Sequence, residues 1–108
     1  MLGAIAGDII GSIYEHHSIK TTDFPLFGKG SAATDDSVLT IATADALMND
    51  QDFARSYKSY GRRYPNAGYG GMFLGWMADR RSSSDMFGFG PRRFAAAFVG
   101  AIIIRCCA

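Results

Sequence analysis

The sequence predicts an all-α fold, a small helical bundle, on three observations. Apolar residues recur every three or four positions in four separate segments, which is the spacing of amphipathic helices. Helix-starting and helix-stopping residues, such as Thr34 and Pro65, stand between these segments. The chain has 108 residues and 11.7 kDa, a length that supports one modest core and therefore one domain.

The first predicted helix covers residues 2–14, LGAIAGDIIGSIY, with apolar side chains at helical spacing: Leu2, Ile5, Ile9, Ile10 and Ile13. Glycines recur every four residues along it, at positions 3, 7 and 11. A glycine stripe of this kind indicates a face that another helix or a ligand approaches closely, and both alternatives stay open. Asp8 lies between two of the glycines, either buried and paired or facing water.

A long loop is predicted over residues 15–33, where helical periodicity is lost and Pro25, Gly28 and Gly30 interrupt the chain. Loops of this length inside compact domains tend to be functional or mobile. The next motif, TDDS at residues 34–37, opens a second predicted helix that runs to Met48. Thr34 is a good N-cap and two aspartates suit the first turn of a helix, so the motif has a purely structural explanation. The same hydroxyl and carboxylates also suit a hard cation such as Mg²⁺, Mn²⁺ or Ca²⁺.

The second predicted helix has six apolar positions that fit a helical period: Val38, Leu39, Ile41, Ala42, Leu47 and Met48. A third helix is predicted over residues 51–64, capped by Asp50 or Asn49, with Phe53, Tyr57 and Tyr60 facing inward. Pro65 ends it, and the glycine-rich loop PNAGYGG follows at residues 65–71. Such a loop can turn several N–H groups towards a phosphate, or it can be an ordinary connection. Helical spacing resumes from residue 72 to residues 80–81.

Charge is divided unevenly along the chain, although the formal net charge is only +1. Residues 1–54 carry eight acidic and two basic groups, which gives −6, and residues 55–108 carry nine basic and two acidic groups, which gives +7. The acidic half suits a cation and the basic half an anion, unless the split is an ordinary solvated pattern. The total lacks the strong positive field of nucleic-acid-binding proteins, so no nucleic-acid partner is expected.

Several features favour a cytoplasmic protein without a membrane partner. No apolar run reaches the roughly 18–20 residues of a bilayer span. The N-terminus lacks the basic start of a signal peptide. Cys106 and Cys107 are adjacent, so a disulfide between them would be strained, which favours a reduced setting. Residues 82–108 form an atypical tail, because their apolar run at 94–104 has no amphipathic stripe.

Four landmarks, in order, resemble the ADP-ribosylglycohydrolase family, which includes dinitrogenase reductase-activating glycohydrolase. They are GAIAGDIIGSIYE at residues 3–15, the loop that follows, TDDS with its long helix at 34–48, and YPNAGYGG before a tryptophan-bearing helix at 64–76. The resemblance covers about residues 1–80. It implies that the chain forms the N-terminal portion of an all-α fold of this family. It also implies a metal-dependent hydrolase that removes ADP-ribose from a modified protein side chain or a related ADP-ribosyl conjugate.

The resemblance further implies a two-metal centre that usually holds Mg²⁺ or Mn²⁺. On that pattern Thr34, Asp35 and Asp36 are the metal ligands supplied by this part of the chain. Glu15 is a carboxylate at the active site, near or on the metals. Glu15 and Asp36 are then the candidates for orienting or deprotonating the attacking water, a role that carboxylates fill in glycoside hydrolysis.

The glycine loop is the substrate-binding segment on the same pattern. Gly68, Tyr69 and Gly70 line the diphosphate of ADP-ribose, and Asp8 supports the structure rather than the chemistry. The substrate is accordingly an ADP-ribosylated protein or a small molecule that resembles ADP-ribose.

The chain also departs from the family. Residues 85–96, DMFGFGPRRFAA, lack the family's asparagine-containing segment, and no second acidic motif completes the metal site. We therefore expect residues 1–108 to be a single, incomplete domain, either a truncated fragment or one whose reading frame shifted near residues 82–90. Catalysis by these residues alone is expected to be weak or absent. The alternative is a non-catalytic helical module that binds ADP-ribose or a protein partner and self-associates through exposed apolar faces.

Overall fold

The computed structural model describes residues 1–79, which form four α-helices and no strand. Helix α1 spans Leu2–Gly11, α2 Asp35–Met48, α3 Phe53–Arg63 and α4 Gly71–Ala78. A single 3-10 turn, Ser12–Tyr14, continues α1. The all-α prediction is confirmed for these residues, and the expectations for the tail at 82–108 fall outside them. None of the helices within 1–79 has the length and apolar character needed to cross a membrane.

Helix α2 begins where the sequence predicts it, because Thr34 is its N-cap. The Thr34 hydroxyl accepts a hydrogen bond from the Asp36 amide at 3.4 Å, and both acidic residues lie in the first turn. The helix ends in a Schellman-type turn in which the Gln51 amide donates to the Ala46 carbonyl at 2.9 Å. Asp50 occupies the left-handed position of that turn, with φ of 49°.

This turn corrects the predicted cap of the third helix. Asn49 and Asp50 complete α2, so neither is available to start α3. Asp52 is the N-cap instead, and its carboxylate accepts a hydrogen bond from the Arg55 amide at 2.9 Å. Helix α3 closes at Tyr64, directly before Pro65, which disfavours a helical conformation for the residue that precedes it.

The core lies between α2, α3 and α4. Its buried members are five residues of α2 and α3, one loop residue and three of α4: Val38, Leu39, Ala42, Ala54, Tyr57, Tyr69, Phe73, Trp76 and Met77. Phe53 and Tyr60 pack against this cluster, so the predicted inward positions of α3 are confirmed. On α2, however, Ile41, Leu47 and Met48 are exposed, because its apolar residues cover more than the one face that packs on α3.

Two buried polar contacts join α2 to α3. The Ser56 hydroxyl donates to the Ala42 carbonyl at 2.8 Å, and the hydroxyls of Thr43 and Tyr57 are hydrogen-bonded at 2.8 Å. Buried polar groups cost free energy unless they are paired, so these contacts fix the register of the two helices as well as satisfying the hydroxyls.

Helix α1 packs on α2 but contributes no buried residue to the core. A Cβ added at Gly3 or Gly11 would meet no atom of the described residues within 4 Å. Within the described residues, no helix packs closely against these two positions of the glycine stripe. Helix α1 attaches to α2 through residues that are only partly buried and through the hydrogen bonds of Asp8.

The loop at residues 15–33 folds back on the end of α1. The Ala32 amide donates to the Ser12 hydroxyl at 3.1 Å, and the rings of Tyr14 and Phe24 meet edge to face at 5.4 Å. Gly28 approaches so closely that a Cβ there would lie 2.8 Å from the Ile13 side chain, which explains the glycine. The loop thus carries the chain from the end of α1 to the start of α2.

Candidate functional site

Asp8 joins α1 to the start of α2 and organises the candidate site. Its carboxylate accepts hydrogen bonds from the backbone amides of Thr34 at 2.8 Å and Ser37 at 3.2 Å. It also accepts from the hydroxyls of the same two residues. The amides belong to the N-terminal turn of α2, where N–H groups have no partner within the helix. Asp8 is thus partly buried and paired, in agreement with its predicted supporting role.

A cleft opens between the end of α1 and the start of α2. It has a volume of about 370 Å³ and is open to solvent on one side. Its walls carry Asp8, Glu15, Thr34 and Asp36, and the remaining lining residues are Gly7, Gly11, Ser12, Tyr14 and Ser18. Glu15 directly follows the 3-10 turn and is exposed. Residues about twenty positions apart in the sequence, Glu15 and the TDDS motif, therefore meet at one cleft.

Asp35 lies beside this cleft rather than among its lining residues. The pKa of the Asp35 carboxyl is raised from 3.8 to about 6, first by partial burial and then by the negative charges of Asp36 and Glu15. Hydrogen bonds from its own backbone and from Thr34 oppose the shift. The electrostatics thus place three carboxyl groups near one another.

The donor set suits a hard cation in its chemistry. Carboxylate and hydroxyl oxygens are the ligands that Mg²⁺ and Mn²⁺ prefer, and a cation would relieve the repulsion between Asp35 and its neighbours. Among residues 1–79, however, no three His, Cys, Asp or Glu side chains lie close enough together to hold a metal ion by themselves. The predicted metal ligands Thr34, Asp35 and Asp36 therefore do not form a complete coordination shell by themselves.

The glycine loop is separate from the cleft. Gly68 and Gly70 are exposed, and Gly68 has φ of 93°, a left-handed conformation that favours glycine. Tyr69 between them turns inward: it is only 8% exposed and stacks on Phe73 with 5.0 Å between ring centroids. Two of the three predicted substrate-binding residues are thus accessible to a ligand, and the third belongs to the core.

The hydroxyl of Tyr69 is buried and has no hydrogen-bond partner among the described residues. Burial raises the pKa of this phenol, and the nearby Asp35 carboxylate adds to the effect. An unpaired buried hydroxyl costs about 1–3 kcal/mol. Most buried polar groups in proteins are paired, so this one calls for an explanation.

Sequence reasoning missed two parts of the site. Ser37 donates to Asp8 from both its amide and its hydroxyl, and Ser12 holds the loop while lining the cleft. The signal for Ser37 was its place in the first turn of α2, where a serine side chain can reach back to an acceptor. No local signal identifies Ser12, because its partner Ala32 is twenty residues away.

The chain matches no family model, no curated protein and no solved structure.

Proposed function

We propose that this chain is the N-terminal portion of an ADP-ribosylglycohydrolase-like hydrolase that uses Mg²⁺ or Mn²⁺. Its substrate is an ADP-ribosyl conjugate, in which C1″ of the ribose is linked to nitrogen or oxygen of a protein side chain or a related small molecule. The motifs at residues 3–15, 34–37 and 64–71 support this proposal, because they resemble that family in type and order.

The observation that carries the proposal is the meeting of Glu15 with Thr34 and Asp36 at one cleft. Capping of α2 explains Thr34, and the helix dipole explains the two aspartates of the first turn. Neither effect requires Glu15, which follows the 3-10 turn after α1, to line the same cleft. Like charges repel, so the proximity of Glu15 to Asp36 and Asp35 is unfavourable, and a capping role does not offset that repulsion. A bound divalent cation would offset it.

The reaction adds water across a glycosidic bond. The hydroxide of the water goes to C1″, its proton goes to the leaving nitrogen or oxygen, and the transition state resembles an oxocarbenium ion. Thr34, Asp35 and Asp36 would hold the divalent ion, which would supply orientation of the ribose hydroxyls and a lowered pKa of water. Glu15 or Asp36 orients the attacking water and takes up its proton, which then passes to the leaving group. Gly68 and Gly70 are exposed, and backbone N–H groups of a glycine-rich loop suit a diphosphate.

Calorimetry of Mn²⁺ binding to the full chain tests the cation site. We expect saturable binding by the wild type and a loss of at least tenfold in affinity in the double variant Asp35→Asn/Asp36→Asn. The matched control is Asp23→Asn, which removes an exposed carboxylate of the loop that does not line the cleft. Equal Mn²⁺ affinity in the wild type and the double variant would contradict the proposal.

Chemistry is tested separately by following release of ADP-ribose from ADP-ribosyl-arginine by chromatography, with Mn²⁺ and with EDTA. Because catalysis by this chain alone is expected to be weak, the proposal expects slow Mn²⁺-dependent release above the EDTA rate, which falls in Asp36→Asn and not in Asp23→Asn. Calorimetric binding of ADP-ribose with no release above the EDTA rate would instead support a non-catalytic module that binds ADP-ribose.

A further inference from the structure

Tyr69 combines two properties that a purely structural residue does not need together. Its side chain is only 8% exposed, and its hydroxyl is buried without a partner in the part of the chain that the structure describes. Tyr57, the other buried tyrosine of the core, pairs its hydroxyl with Thr43 at 2.8 Å. Phenylalanine would fill the Tyr69 position in the stack on Phe73 without burying an idle donor.

The position of Tyr69 relates this hydroxyl to the candidate site. Its ring belongs to the same cluster as Val38 and Leu39 of α2. Asp35 precedes these residues by three and four positions, so it lies on the same face of α2, one turn nearer the N-terminus. The electrostatic effect of Asp35 on the Tyr69 phenol agrees with this placement.

We propose that Tyr69 is a positioning residue for Asp35 in the cation-bound protein. When Asp35 binds a divalent cation through one carboxylate oxygen, the Tyr69 hydroxyl donates a hydrogen bond to the other oxygen. The bond holds the carboxylate in one orientation, as hydrogen bonds to ligating carboxylates do at protein metal sites. The donor is idle in the metal-free chain because its acceptor is turned into place by the cation. This inference rests on the proposed function, since it needs a cation at Asp35.

The test compares Tyr69→Phe with Tyr57→Phe, two variants that each remove one buried hydroxyl. Mn²⁺ affinity is measured by calorimetry on the full chain, and stability is measured by urea unfolding in EDTA with far-UV circular dichroism. We expect Tyr69→Phe to weaken Mn²⁺ binding about tenfold while its urea midpoint stays level or rises. We expect the opposite from Tyr57→Phe: unchanged Mn²⁺ affinity and a lower urea midpoint, because Thr43 loses its partner.

The outcomes separate this inference from the function on which it rests. If the wild type binds Mn²⁺ and Tyr69→Phe binds it equally well, the positioning role is wrong and the cation site stands. A fall in the urea midpoint of Tyr69→Phe as large as that of Tyr57→Phe also overturns the inference, since the hydroxyl then has a partner in the metal-free chain. Absence of saturable Mn²⁺ binding by the wild type overturns both the cation site and the role of Tyr69.

Discussion

Replacing Asp8 tests the contact on which the candidate site depends. In Asp8→Ala the backbone amides of Thr34 and Ser37 lose an ionised acceptor that the structure places at 2.8 and 3.2 Å. Hydrogen bonds to charged groups contribute about 1.5–3 kcal/mol each. The two hydroxyls that also donate to Asp8 can turn towards water, so their contribution is smaller. We expect Asp8→Ala to lower the free energy of unfolding by about 3 kcal/mol, mainly through the two amides.

Asp8→Asn separates geometry from charge. The amide oxygen of Asn can take the place of Oδ2, which accepts three of the four hydrogen bonds, and its NH₂ group can donate to the Thr34 hydroxyl. Only the charge is then lost, so a smaller effect of about 1 kcal/mol is expected. Asp23→Ala removes an exposed loop carboxylate and should change stability by no more than about 0.5 kcal/mol.

Urea unfolding monitored by far-UV circular dichroism gives the three values, and amide hydrogen exchange locates the effect. Exchange at Thr34 and Ser37 should accelerate in Asp8→Ala more than exchange in α3, because the lost bonds lie at the start of α2. A stability loss in Asp8→Ala no larger than that in Asp23→Ala would refute the reasoning. So would equal losses in the Ala and Asn variants, since the carboxylate geometry would then be irrelevant.

Three further predictions concern the turn after α2, the packing of α3 on α4, and pH. Asp50→Gly should raise the free energy of unfolding by about 1 kcal/mol in the same urea assay, because φ of 49° strains a residue with a Cβ; a decrease would contradict this reading. Gly61→Val should lower it by about 1–3 kcal/mol, since a Cβ at Gly61 would press on the Met77 side chain; unchanged stability would show that Met77 moves aside freely. Asp35 has a pKa of about 6 in the folded chain against 3.8 ordinarily, so its favourable contribution is full below pH 3.8 and is lost as pH rises through 6. In EDTA, Asp35→Asn should therefore gain about 1–2 kcal/mol on the wild type between pH 4 and pH 7, once the screening of a half-exposed carboxyl is allowed for, and parallel pH profiles would exclude the shift.

The sequence predicts the helices of this chain better than it predicts their contacts. Thr34 and Pro65 mark boundaries because capping and the steric effect of proline act within a few residues. The cap of α3 was missed because Asp50 and Asp52 are chemically equivalent candidates, and only the closing turn of α2 decides between them. The exposed faces of α2 were missed because its apolar residues are spread around the helix, so periodicity alone does not select the face that packs.

The candidate site shows the same division between local and long-range information. The TDDS motif predicts carboxylates at a helix start, since all four residues are adjacent. Its meeting with Asp8 and Glu15 depends on how residues 15–33 fold back, and the contact from Asp8 to Thr34 spans 26 residues. Nothing in the local pattern sets that path. The inward turn of Tyr69 was likewise hidden, because a tyrosine between two glycines suits either a ligand-binding loop or a core position.

Because α1 has no fully buried residue, replacing Asp8 should also affect the candidate cation site. Helix α1 packs on α2 with residues that are only partly buried, so the hydrogen bonds of Asp8 are an important part of the contact between the two helices. Glu15 follows α1 after the 3-10 turn, so its position relative to Asp36 depends on that docking. We therefore expect Asp8→Asn to keep the Mn²⁺ affinity of the wild type within a few fold. Asp8→Ala should lose as much affinity as Glu15→Gln, even though Asp8 is not among the proposed cation ligands. Calorimetry measures the Mn²⁺ affinity of each variant under conditions in which the same fraction of each protein is folded. Wild-type Mn²⁺ affinity in Asp8→Ala would show that the cleft forms without the hydrogen bonds of Asp8.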